Sequence, residues 1–228
     1  MPDPRGHGWW PYLGPYGAFL LLVEVSAHLP PGAQFGALVA KALVPAGLLV
    51  HFWRRGAYAE LRGYRFDAGT LADIAVGVGI AVFWVAPFAL WPELERGAVF
   101  EPGTPGTGAF AATLAVRALG FAVVTPFVEE LFVRSFLHRY LDVWQGRGHF
   151  LDRPMATYTP RAFWGTVLWF IFSHAMWEWG VAAMAGVVFN LWLYRRGHLG
   201  AVVIAHAAAN GSIWLWVVYG PGGFWAFL

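Results

Sequence analysis

The chain has 228 residues, of which 58% are hydrophobic and 12% charged, with a net charge of +2 and no cysteine. A soluble domain carries about twice that charged fraction, so a water-soluble globule is excluded on composition. The absence of cysteine removes disulfides, thiolate catalysis, thiolate metal sites and S-acylation, and no basic stripe suggests nucleic acid.

Repeated apolar runs separated by short charged loops predict an all-α, polytopic transmembrane bundle of about seven spans. In chain order these are Pro11–Leu29, Gly36–Trp53, Leu71–Trp91, Ala109–Tyr140, Ala162–Trp177, Val181–Tyr194 and Leu199–Tyr219. The first reads as a retained signal anchor. The fourth is too long for one crossing, so it either projects beyond the bilayer or breaks at Pro126. The fifth and sixth are short for a crossing. Trp9, Trp10, Trp53, Trp91, Trp144, Trp177 and Trp179 fall near segment ends, as an interfacial belt does. The stretch "PELERGAVFEPGTPGTG" reads as irregular loop. Residues 1–108 hold three spans and this outer loop, and residues 109–228 hold the remaining spans, within one integral membrane domain.

Loop charge sets the orientation. Arg54, Arg55, Arg62 and Arg65, then Arg139, Arg147, Arg153 and Arg161, then Arg195 and Arg196, all fall on one side of this topology. The positive-inside rule puts that side and the N-terminus in the cytoplasm and the C-terminus outside. The expected location is a bacterial inner membrane.

Ionisable groups at membrane depth cost roughly 2.5–3.5 kcal/mol each on insertion scales, so each calls for a reason. Glu24, Lys41 and Arg117 sit at one level in the outer half and read as a structural ion cluster or as snorkelling side chains. A second group converges from three different spans. At 1.5 Å per residue, Glu129 lies about 15 Å, His174 about 18 Å, and His206 and Asn210 about 10 and 16 Å from the cytoplasmic side. Glu130 and Arg134 are i,i+4 and read as an ion pair, with Glu129 turned about 100° away into the bundle. Phe170 stands one turn before His174 and can wall the imidazole. Three alanines between His206 and Asn210 allow a neighbouring helix to come close.

A carboxylate and an imidazole beside one water make a general-base pair, and an imidazole with an asparagine amide makes a two-donor oxyanion hole. The other reading of these four side chains is hydrogen-bonded glue between helices. Ser135 and Ser173 have no paired base, which disfavours a serine hydrolase. His7, His28, His51, His138, His149 and His198 read as interfacial, and Glu178 as an ordinary loop residue.

"EELFVR" (Glu129, Glu130, Arg134), "FIFSH" (Phe170, His174) and "HAAAN" (His206, Asn210) resemble, in order, the EExxxR, FxxxH and HxxxN motifs of the CAAX-protease and bacteriocin-processing family, which includes the Rce1-type endopeptidases. The chain is also similar to the compact CAAX-protease-related proteins that accompany bacterial exosortase systems. The resemblance implies an intramembrane endopeptidase of glutamate type: Glu129 and His174 activating water, His206 and Asn210 forming the oxyanion hole, and Glu130, Arg134 and Phe170 in support. It implies a membrane-anchored or lipid-modified peptide substrate, cleaved near the cytoplasmic leaflet. No cofactor is expected; the alternative is zinc held by Glu129, His174 and His206, with Glu130 a further candidate ligand. The alternative function is a non-catalytic membrane scaffold or bacteriocin-immunity-like protein that keeps the polar core for structure.

Overall fold

The computed structural model describes residues 8–91, 93–94, 110–146, 148–220 and 227. All regular structure among them is helical. Seven long helices follow in chain order: α1 Trp10–Ala27, α2 Gln34–Arg54, α3 Ala68–Leu90, α4 Phe110–Val143, α5 Pro160–Phe172, α6 Trp179–Arg196 and α7 Leu199–Tyr219. Five of them (α2, α3, α4, α6 and α7) are long and apolar enough to cross a bilayer. This is the helical membrane bundle that the composition predicts. Apart from Glu93 and Leu94, the stretch read as irregular loop lies outside the described residues, as does Arg147.

Two predicted boundaries change. The fifth span does not run to Trp177, because α5 ends at Phe172 after 13 residues. At about 20 Å it is too short to cross, and His174 falls in the turn that follows it. The sixth span is longer than expected, 18 residues from Trp179 to Arg196. Its end is set by Gly197, whose φ of 67° suits a left-handed C-cap. Thr159 caps the start of α5 by accepting the Ala162 N–H at 3.2 Å, with Pro160 at the first helical position.

α4 is not broken at Pro126. It runs on for 34 residues, and instead widens to i→i+5 bonding over Ala118–Val124 and again over Leu131–Leu137. Between the two wide stretches stand Glu129 and Glu130. Widened turns of this kind re-aim side chains and are frequent at functional sites.

The arginine-rich end of the bundle is tied together by buried ion pairs. Asp73, wholly buried near the start of α3, accepts the Arg196 Nε at 2.8 Å, the Trp192 indole N–H at 2.9 Å and the Tyr64 hydroxyl at 2.6 Å. Glu60, in the segment between α2 and α3, accepts Arg139 at 3.1 Å and Tyr12 at 2.9 Å, and also bonds Ser135. Each buried carboxylate thus meets several donors, which offsets its desolvation. Of the two readings of Glu24, Lys41 and Arg117, the exposed one fits Glu24, whose side chain is 76% exposed and lies 3.7 Å from His28, while Lys41 lies within electrostatic reach of Arg117. His138 is not interfacial: it is buried and bonds the Tyr194 hydroxyl at 2.8 Å.

α3 packs closely along α7, and the small residues of "HAAAN" are the reason. A Cβ on Gly77 would stand 2.1 Å from the Ala205 carbonyl and 2.7 Å from the Ala208 methyl. Only glycine opposite alanine permits this approach. Gly77→Ala is therefore expected to destabilise the bundle by about 1–3 kcal/mol through overpacking. Thermal unfolding in detergent measures the loss; an unchanged midpoint would show that the two helices can separate freely.

Candidate active site

The site is built where α3, α4, α6, α7 and the turn after α5 meet. A cavity of about 180 Å³ is lined there by Glu129, Phe170, His174, His206 and Asn210 together with Trp84, Phe121 and Phe189. The four residues singled out at one depth thus face one space, with Phe170 beside them. Glu130 and Arg134 do not line it; they form the fully buried layer behind it.

Each side chain has a local reason for its position. Helix termini leave backbone carbonyls without partners, and at the end of α5 the Phe170 carbonyl is one of these. The backbone N–H of His174 bonds Ile171 instead, at 3.1 Å, so the Phe170 carbonyl accepts the His174 ring Nδ1 at 2.6 Å and the Ser173 hydroxyl at 2.9 Å. A carbonyl can only accept, so Nδ1 carries the proton and Nε2 of the neutral ring is left with its lone pair. The ring is walled by Phe170 at 4.5 Å and Trp84 at 5.3 Å between centroids.

Asn210 is held by a consequence of Pro126. In the wide stretch of α4 the Thr125 N–H bonds Gly120, five residues back. The next bond in that register would join Phe121 to residue 126, and proline has no N–H to give. The Phe121 carbonyl accepts the Asn210 amide at 2.8 Å instead. One amide hydrogen is used in this way and the second remains for a ligand.

His206 and the two glutamates are the electrostatic centre. His206 Nδ1 lies 2.7 Å from Glu130 Oε1, and the same oxygen accepts Arg134 at 3.2 Å. His206 Nε2 is 3.9 Å from Glu129 Oε2, a buried oxygen with no hydrogen-bond partner. Reading Glu130 as the partner of Arg134 alone was incomplete: its carboxylate is shared between Arg134 and His206. Arg134 is itself sandwiched, its guanidinium carbon 4.5 Å from the Phe170 ring and 5.3 Å from the Phe189 ring. Asn190 on α6 completes the layer, near Arg134 at 3.4 Å and anchored to Thr166 at 2.9 Å and to the Phe163 carbonyl at 3.1 Å.

Two features depart from the sequence reading. Glu178 is not an idle loop residue: it lines the cavity, facing the Trp84 indole and within electrostatic reach of His174 and Glu129. Its spacing of four residues from His174 was the available signal. The lining also runs from Glu129, His206 and Phe189 toward Trp84, Glu178 and Ile213, away from the arginine-rich end. Behind it, toward that end, lie Glu130, Arg134 and Asn190, all fully buried. Among the described residues no group of three or more His, Asp or Glu side chains is placed to hold a metal ion, Glu129, His174 and His206 included.

Residues 111–212, just under half of the chain, match the family described as Type II CAAX prenyl endopeptidase Rce1-like. The match contains all seven residues of the three motifs. No curated protein and no solved structure matches the chain.

Proposed function

We propose, from the premise that residues 111–212 are Rce1-like, that this protein is an intramembrane endopeptidase that hydrolyses a peptide bond of a membrane-anchored substrate with water activated by Glu129 and His174. The observation that carries the reading is the Glu129 carboxylate: one oxygen is buried without a hydrogen-bond partner, in a cavity that also receives His174, His206 and Asn210. A water there donates to Glu129 and to the lone pair of His174 Nε2, which raises its nucleophilicity without a covalent enzyme intermediate.

As water adds to the scissile carbonyl, its proton passes to Glu129 and negative charge gathers on the carbonyl oxygen. The free amide hydrogen of Asn210 is one donor to that oxygen. His206 is the second donor, through Nε2, when its ring carries both protons, with Nδ1 anchored on Glu130 at 2.7 Å. Collapse of the adduct breaks the C–N bond, and the proton held on Glu129 goes to the leaving amine. The low-dielectric setting strengthens each of these interactions relative to water. In this reading the bacterial inner membrane houses the protein with its arginine-rich end in the cytoplasm.

The test is cleavage by purified protein in bicelles of a farnesylated CAAX reporter and a panel of membrane-anchored peptides, with and without a chelator. Cleavage insensitive to the chelator is the expected result. Loss of cleavage on chelation would move the mechanism to a metal, and folded wild type that cuts no member of the panel would favour the scaffold reading.

A further inference from the structure

The seven motif residues all lie within 111–212, but the structure brings a residue from outside that segment against both halves of the site. We propose that Tyr16, on α1, is a positioning residue that fixes the turn bearing His174 relative to the helix bearing Glu129; this rests on reading those two as the water-activating pair.

Tyr16 is 3% exposed. Its ring lies flat on Phe132, with centroids 4.0 Å apart and planes 1° from parallel. Phe132 is three residues after Glu129, so the stack rests on the same helical turn and moves with the carboxylate. The other end of Tyr16 faces α5. Its hydroxyl accepts the Trp169 indole N–H at 2.9 Å. The Trp169 carbonyl in turn accepts the Ser173 backbone N–H at 3.0 Å, and the Ser173 hydroxyl donates to the Phe170 carbonyl at 2.9 Å. That carbonyl is the acceptor for His174 Nδ1 at 2.6 Å.

The contacts therefore run from Tyr16 through Trp169 and Ser173 to the acceptor that sets the His174 tautomer and orientation. Freeing Trp169 loosens the last turn of α5, so loss of the Tyr16 hydroxyl is felt at His174. The need for this brace follows from the fold. His174 lies beyond the last turn of a short helix, where no backbone ladder holds it, while Glu129 sits within a continuous helix. Phe132 meets Trp169 directly, with ring centroids 5.4 Å apart, and α1 adds a hydrogen-bonded bridge through Tyr16.

The experiment uses full-length protein labelled with ¹⁵N-histidine, comparing wild type with Tyr16→Phe, which keeps the stacking ring and loses only the hydroxyl. Trp169→Phe is the second variant, because it removes the donor to the same hydroxyl. The expected result is that the His174 Nδ1–H resonance shifts or exchanges faster in both variants while those of His206 and His138 stay in place. In the cleavage assay, kcat then falls by about tenfold at unchanged KM, the cost of a small misplacement of a reacting group. A His174 signal identical to wild type in Tyr16→Phe would overturn the proposal, as would a shift of all the histidines together, which would mark a general loss of packing. The resonance is read without turnover. A moved His174 signal in a protein that cleaves nothing would thus sustain the brace and remove the peptidase reading.

Discussion

Glu129→Gln is expected to lower turnover by about 10²–10⁴-fold, the range for loss of a positioned general base, with no loss of thermal stability. The two halves of this expectation have separate causes. The amide matches the carboxylate in shape but cannot take a proton from water, so the chemical step fails. Stability is spared because Glu129 Oε2 makes no hydrogen bond within the protein and only approaches His206 at 3.9 Å. Removing a buried charge that lacks a strong partner costs little and can even stabilise. Activity with unfolding in detergent, measured on the same preparation, checks both. If Glu129→Gln cleaved at the wild-type rate, Glu129 would not be the base. If it unfolded, the carboxylate would be structural, as the scaffold reading holds.

The neighbouring glutamate differs, and the contrast shows how far the sequence could be read. Spacing separated Glu129 from Glu130 by helical rotation and paired Glu130 with Arg134, and the structure keeps both statements, with the ion pair at 3.2 Å. The i,i+4 rule describes one helix only, so the second partner of Glu130, His206 seventy-six residues away, was out of its reach. The depth argument worked for a related reason. Distances along a regular helix are fixed at 1.5 Å per residue, a rule that holds for His206 and Asn210 on α7 and only approximately for Glu129, whose helix widens over Leu131–Leu137.

His174 also reached the cavity, though by a different route from the one expected. α5 stops at Phe172 and the histidine is placed by a turn, which hydropathy does not reveal because "FIFSHAMW" remains apolar past the end of the helix. Asp73 was overlooked because it stands near the start of an otherwise apolar span, and its partners Tyr64, Trp192 and Arg196 come from two distant segments. Tyr16 carries no motif at all. Its signal is tertiary: an aromatic ring within the first apolar run that the fold buries against Phe132.

Arg134→Met is expected to destabilise the protein by about 3–5 kcal/mol, the cost of leaving a buried charge without its partner. Arg134 and Glu130 are both wholly buried, each side chain at 0% exposure. The methionine replaces the stem of the arginine between Phe170 and Phe189, so packing is largely kept and the electrostatic loss dominates. What remains is a fully buried Glu130 carboxylate whose one hydrogen-bond donor among the described residues is His206. Glu130→Gln combined with Arg134→Met removes both charges, and the double variant is expected to recover most of the lost stability. That recovery separates a charge-pair origin from a packing origin, because a cavity left by the arginine would remain in both. The double variant is nonetheless expected to be poorly active. Without the Glu130 carboxylate His206 loses its charged acceptor at Nδ1, and the proposed oxyanion hole relies on the Asn210 amide, at a cost of about 10²–10³-fold in kcat. Unfolding midpoints and kcat for the single and double variants would show the two quantities parting. Stability and activity recovering together in the double variant would instead mean that Glu130 acts only as the counter-charge of Arg134.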